Sequence, residues 1–189
     1  MTLSTLRKKL ASEKKDARIF DIVLYGSTMK GASSPHDLDI LVIFKEGTLR
    51  ERLDTTQGIK QRLKQEQILD VKQILLPDLF SPAFFAKTGI LLEGESIFEN
   101  RPFSERAGFS AWTLFIYDLS KLTFSRKVQF TYLLSGRKSI GTKGILAEFN
   151  GVRVVPGAVK IPLASSATFE EILKRQGIVY TKKNILEQM

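Results

Sequence analysis

At 189 residues the chain is long enough to bury a sizeable core and to fold as one or two domains. It has no cysteine, which excludes structural disulfides, thiolate zinc sites and thiol catalysis, and its single histidine excludes a histidine-rich metal centre. The net charge of +9 is unevenly placed: residues 1–103 carry 16 Lys/Arg against 14 Asp/Glu, and residues 104–189 carry 13 against 6, which points the second half towards a polyanionic partner.

The chain opens on a short basic amphipathic segment in which Leu3, Leu6 and Leu10 share one helical face, expected to pack onto the first domain. Its charges stand where a signal peptide needs an apolar stretch. No apolar run approaches the ~20 residues that cross a membrane, so the expected setting is cytoplasmic, with no membrane partner. Ile19 to Tyr25 is a β-branched and aromatic run ended by Gly26, which reads as a buried strand. Leu38 to Phe44 reads as a second. Residues 48–65 read as a charged surface helix with Leu49, Leu53, Ile59 and Leu63 on its apolar side. Gln67 to Leu75 alternates like a third strand, and Pro77 is expected to break the chain. Leu79 to Leu92 reads as a helix with Phe80, Phe84 and Phe85 in the core. Glu93-Gly94-Glu95 is expected to turn, Ser96-Ile97-Phe98 to form a short strand, and Glu99-Asn100-Arg101-Pro102 to link two domains, 1–103 and 104–189.

In the second half, Phe109 to Leu119 reads as a strand, with Phe109, Trp112, Phe115 and Tyr117 as core aromatics. Ser125 to Leu134 reads as a helix ended by Gly136. Asn150-Gly151 is a strong two-residue hairpin signal within Leu146 to Val155. Val159 to Leu163 is another strand. Thr168 to Glu171 reads as a capping box opening a helix that Gly177 stops, and Ile178 to Leu186 as a last strand. Together these predict a smaller, basic α+β domain. Its loop from Gly136 to Gly144 holds three glycines, three cations and two hydroxyls. The loop lacks the Gly-Lys-Ser/Thr ending of a Walker loop. Arg137, Lys138 and Lys143, joined by Arg126 and Lys127, form a candidate patch for phosphate or RNA.

The chemistry concentrates at Gly26-Ser27, followed after nine intervening residues by Asp37-Leu38-Asp39. In a strand, Asp37 and Asp39 point to the same side, about 6.6 Å apart, while Leu38 and Ile40 face the core. Such carboxylates suit a hard divalent cation that also takes substrate phosphates. Gly26 lets backbone approach a phosphate, Ser27 adds a hydroxyl and an N–H, and a helix starting near Ser27 would add its dipole. Asp70, an acid among apolar residues in the third strand, is the candidate third carboxylate if its strand lies beside Asp37 and Asp39. Two metals could then polarise the α-phosphate and activate an acceptor hydroxyl. His36, in the loop before Asp37, reads as solvated rather than catalytic.

This segment resembles the nucleotidyltransferase superfamily of DNA polymerase β, and most of all its minimal prokaryotic members. The resemblance rests on Gly26-Ser27, Asp37, Asp39 and Asp70, and covers residues 18 to 100. It implies an α/β to α+β architecture, with a mixed sheet flanked by helices in the first domain. It also implies contacts from Gly26 and Ser27 to the triphosphate, Mg2+ (or Mn2+) on Asp37 and Asp39, and Asp70 completing the metal site or acting as base. Many minimal members carry Arg directly after Gly-Ser. Here Thr28 stands there, and Lys30 is the candidate for the positive charge. The activity expected is transfer of NMP from an NTP to an acceptor hydroxyl on RNA or on a partner protein, with a small alcohol as a third acceptor. The rival reading is a module on the same fold that binds RNA or senses nucleotide without turnover.

Overall fold

The structure, a computed structural model, describes residues 3–26, 37–63, 68–137 and 141–189. The chain divides into two compact units, Met1–Gly108 and Phe109–Met189.

The first unit is built on a four-stranded mixed sheet in the order β3-β2-β1-β4. Strand β1 (Ile19–Tyr25) runs antiparallel to β2 (Asp37–Phe44), which pairs in parallel with β3 (Ile68–Leu75). The two-residue β4 (Glu95–Ser96) closes the other side of β1. Alternation along β1 and β2 sorts the apolar side chains onto two faces. Ile22, Leu24, Leu38, Ile40, Val42 and Phe44 pack with Leu6 and Leu10, which flank or lie in α1 (Leu3–Lys9), and with Ile59 and Leu63 of α2 (Leu49–Leu63). The first helix therefore docks on this unit through Leu6 and Leu10, while the side chain of Leu3 lies outside the described residues. Val23, Leu41 and Ile43 face the other way, towards Leu79, Ile90, Leu91 and Phe103. A bulge between Ile19 and Asp21 turns Phe20 onto this second face. Helix α2 is opened by a reciprocal capping box: the Glu51 N–H donates to Thr48 Oγ1 at 3.3 Å, and the Thr48 N–H donates to Glu51 Oε2 at 2.8 Å.

Several expectations for residues 77–102 are corrected. Pro77 does not interrupt the chain; it sits in the first turn of α3 (Leu76–Leu79), where its missing N–H costs nothing. The long helix expected over Leu79 to Leu92 is only α4 (Lys87–Glu93). Pro82 disfavours helix at Ser81, so the preceding residues form turns, and two of the supposed core aromatics are exposed: Phe80 by 49% and Phe85 by 92%. Phe84 alone packs against the core. Residues 97–102 are neither strand nor linker. With Asn100 at φ 58 they turn back so that Ser96 N–H donates to Arg101 C=O at 2.9 Å, and α5 (Phe103–Arg106) follows with Phe103 fully buried.

The second unit is an antiparallel sheet in the order β10-β5-β9-β8, with helices on one face, an α+β arrangement. Strand β5 (Phe109–Asp118) and β9 (Ala158–Pro162) present Phe115, Tyr117, Val159 and Ile161 to Phe130 and Leu134 of α6 (Phe124–Ser135) and to Phe169 and Leu173 of α8 (Ser166–Arg175). A minor hairpin, β6 (Gly136–Arg137) with β7 (Thr142–Lys143), follows α6. Asn150-Gly151 does not turn a hairpin. The preceding segment is helix α7 (Ile145–Glu148), and Asn150 at φ 52 ends it, with the Gly151 N–H donating to Leu146 C=O at 2.7 Å. The hairpin joins β8 (Val152–Val155) to β9 through Pro156-Gly157, where Gly157 has φ 84. Helix α8 likewise starts earlier than Thr168, because a 3-10 turn at Leu163–Ser165 leads straight into it.

Strand β10 (Val179–Gln188) is tied to α8 through Glu170, which accepts from Tyr180 Oη at 2.6 Å and pairs with Lys182 and Lys174. These partners, Lys182 foremost, hold the Glu170 carboxyl down at about 2, and Tyr180 is pushed up to about 12. Glu170→Gln is expected to lower the unfolding free energy by about 1–2 kcal/mol at neutral pH. The wild-type contribution is present above about pH 4.5 and lost as pH falls towards 2. Urea titrations at pH 7 and pH 3 check both statements.

Candidate nucleotidyltransferase site

The site lies at the end of the first unit's sheet where β1 stops and β2 and β3 begin. The parallel register sets Asp39 directly beside Asp70, and the antiparallel register sets Tyr25 beside Asp39 on the other side. Residues in register share a face, so Tyr25, Asp39 and Asp70 stand side by side across three strands, about 4.8 Å from strand to strand. Their neighbours Leu38 and Ile40 are buried on the opposite face, as alternation requires.

Gly26 closes this end of the sheet. Its φ is +85, and a Cβ added there would lie 2.2 Å from Asp39 Oδ2, so the backbone turns directly against the carboxylate. Gly26→Ala meets both obstacles. It is expected to cost about 1–2 kcal/mol of stability from the left-handed backbone. Divalent-dependent NTP binding is expected to weaken about tenfold, because Asp39 must swing away. Denaturant unfolding and calorimetry with a non-hydrolysable NTP check the two effects; wild-type values in both would show that this close approach is dispensable.

One participant was not singled out from sequence. Lys72 Nζ lies 2.9 Å from Asp70 Oδ2. The signal was present, since Lys72 is two residues along the same strand and therefore on the same face. Asp70, foremost, holds the Lys72 ammonium above its ordinary value, with Tyr25 and Asp39 adding to it. Burial raises the Tyr25 hydroxyl, opposed by Lys72 and reinforced by Asp39 and Asp70, so it stays protonated at neutral pH. Two carboxylates, a phenol and an ammonium thus share one patch of sheet.

Of the predicted acids, the structure brings Asp39 and Asp70 together. Asp37 pairs in register with Ile68 at the start of β2, and its side chain lies outside the described residues, as do Ser27, Thr28, Lys30 and His36. Among the described residues no group of three ligating side chains stands together. The donor set still fits a hard divalent cation: carboxylate oxygens on adjacent strands, with Gly26 placing no side chain against Asp39 and with Lys72 already paired to Asp70 Oδ2.

The basic residues predicted to bind phosphate or RNA belong to the second unit. Arg126 and Lys127 stand in the first turn of α6, where Arg126 Nη2 donates to Gln176 C=O at 3.5 Å. Arg137 and Lys143 stand on the β6–β7 hairpin past its other end, about 15 Å along the helix, with the Arg137 guanidinium 4.1 Å over the Tyr132 ring. Lys138 lies outside the described residues.

The sequence pattern of the nucleotidyltransferase domain matches residues 3–103, which contain the whole of this arrangement. The chain belongs to that family. No curated protein matches it in sequence. Among solved structures it is similar to a toxin-antitoxin crystal structure with AMP-PNP, at 18% identity over 51% of this chain and 73% of that one, with a TM-score of 0.37. It is also similar to the tri-AMPylated Shewanella oneidensis HEPN toxin in complex with MNT antitoxin, at 14% identity over 69% of this chain and 92% of that one, with a TM-score of 0.38. Among the described residues no helix is long and apolar enough to cross a membrane.

Proposed function

We infer that the first unit transfers a nucleoside monophosphate from an NTP to an acceptor hydroxyl on a protein or on RNA, in a cytoplasmic setting. The observation that carries this is the in-register pair Asp39–Asp70 beneath Gly26, inside a nucleotidyltransferase domain. Asp37, Asp39 and Asp70 are the residues that would hold Mg2+ or Mn2+. Bound there, the ion would offset the charge that builds on the α-phosphate and on the leaving pyrophosphate. Gly26, Ser27, Thr28 and Lys30 are assigned to the triphosphate.

In the transfer, the acceptor oxygen bonds to the α-phosphorus as the bond to the β-phosphate oxygen breaks, and pyrophosphate leaves. The hydroxyl proton goes to a carboxylate, for which Asp70 is assigned: it sits at the edge strand, open to an incoming acceptor, and Lys72 fixes its orientation. Tyr25, neutral and adjacent, is a donor rather than a base. In the second unit, Arg126, Lys127, Arg137, Lys138 and Lys143 are assigned to a polyanion that accompanies the acceptor.

The test incubates the full chain with each α-labelled NTP, Mg2+ or Mn2+, and total RNA or lysate, beside the Asp37→Ala/Asp39→Ala double variant. Label transferred by wild type alone is the expected result, and its carrier gives the acceptor class. No transfer, with both proteins binding RNA equally, would replace this reading by a non-catalytic RNA-binding or nucleotide-sensing module.

A further inference from the structure

A groove runs along the outer edge of β3, one residue from Asp70. It holds about 340 Å3 between Leu53 of α2, Val71 on one face of the strand, and Leu41 and Phe84 on the other, and the rest of its lining, Lys60 and Lys72 included, is polar. Three observations make it more than a crease. First, β3 pairs only with β2, and among the described residues no strand covers its other side, so its outward backbone N–H and C=O groups face the groove. Second, one large apolar side chain stands exposed on its α2 side among Thr56, Gln57 and Lys60: Leu53 is 51% exposed. Third, both of its charged residues are cationic: Lys72 is paired with Asp70, and Lys60 has no ion-pair partner among the described residues.

An unpaired strand edge is satisfied by another strand, and side chains that alternate along an added strand fall into pockets on either face. The groove offers this on both sides of β3, with Leu53 and Val71 on one and Leu41 and Phe84 on the other. We propose that it is the acceptor-docking site, and that its occupant is an extended segment of an acceptor protein, apolar at alternate residues and flanked by acidic ones. Added beside β3, such a segment places a residue one step beyond the groove opposite Asp70, at about 3.3 Å per residue. There a serine, threonine or tyrosine hydroxyl reaches the carboxylate assigned to take its proton. Nucleic acid suits the groove poorly, since Lys60, its one cation without an ion-pair partner among the described residues, offers little to a phosphate backbone. This inference rests on the transferase reading and deepens it by naming the acceptor class.

The deciding experiment labels lysate with α-labelled NTP and Mg2+, using full-length wild type, Leu53→Glu, Lys60→Glu and Asp39→Asn. Leu53 is exposed and Lys60 half-buried, and neither belongs to the buried core, so their variants are expected to keep the wild-type melting temperature and the wild-type affinity for a non-hydrolysable NTP. Protein labelling is expected to fall at least tenfold in both groove variants. Groove variants that label the same proteins at the wild-type rate, while Asp39→Asn does not, would overturn the docking site and leave the transferase standing. Label appearing on RNA instead of protein would also overturn it. No label from any form would remove the transferase reading and this proposal together.

Discussion

Asp39→Asn is expected to cut nucleotidyl transfer about a thousandfold while leaving the fold in place. Asn keeps the shape that fits against Gly26 and removes the charge. A carboxylate that helps neutralise a developing phosphate charge is worth several kcal/mol in the transition state. At 1.36 kcal/mol per tenfold, a loss of about 4 kcal/mol corresponds to the stated factor. The fold is expected to survive because the side chain stands at the start of β2, only partly buried, and the packing of Leu38 and Ile40 beneath it is untouched. A stability change under about 1 kcal/mol is expected. Initial rates of labelled transfer, paired with a denaturant curve on the same preparation, separate the two effects. A wild-type rate in Asp39→Asn would end the catalytic assignment of the Asp39–Asp70 pair, whatever the family.

The two strands that carry the acids, and β1 beside them, were legible: β1 and β2 as continuous β-branched and apolar runs, β3 by its period-two alternation. Asp39 beside Asp70 also followed from alternation once the strands were adjacent, although their parallel register is a tertiary fact that no local pattern supplies. Lys72 was legible by the same rule and was passed over because it is a surface-type residue in a strand of mixed character. Other features were set by competition between local signals. Asn150-Gly151 has the composition of a hairpin turn, yet it follows a turn of helix, and a residue at positive φ ends a helix as well as it reverses a strand. Phe80 and Phe85 have the character of core residues, as aromatics usually do; Pro82 breaks the helix that would have pointed them inward. The β3 groove has no sequence signature, since its residues come from separate elements and its meaning lies in an edge left unpaired.

The buried carboxyl of Asp21 leads to the second large effect, on stability rather than rate. Alternation places it on the inner face with Val23, fully inaccessible, beneath β4 and α5. The Ile22 N–H donates to its Oδ1 at 2.7 Å, while Oδ2 is without a hydrogen bond. Burial raises its pKa to about 6, partly offset by the Ser96 hydroxyl, the Ile22 N–H and the charge of Arg106. The unfolded chain releases this proton near the ordinary carboxyl value, about 3.9. Between about pH 4 and pH 6 the folded state therefore binds more protons than the unfolded one, so stability falls as pH rises through that window and levels off above it. Two pKa units correspond to about 3 kcal/mol. Wild type is thus expected to lose stability on this scale from pH 4 to pH 6.5, beneath whatever slope its other groups impose. Asp21→Asn, which carries no titrating proton, is expected to flatten that part of the profile. Urea unfolding of both proteins at half-unit steps reads the difference, in which the shared slopes cancel. Parallel profiles would show that Asp21 is ionised in the folded protein at pH 4, compensated by Arg106 more fully than its burial suggests.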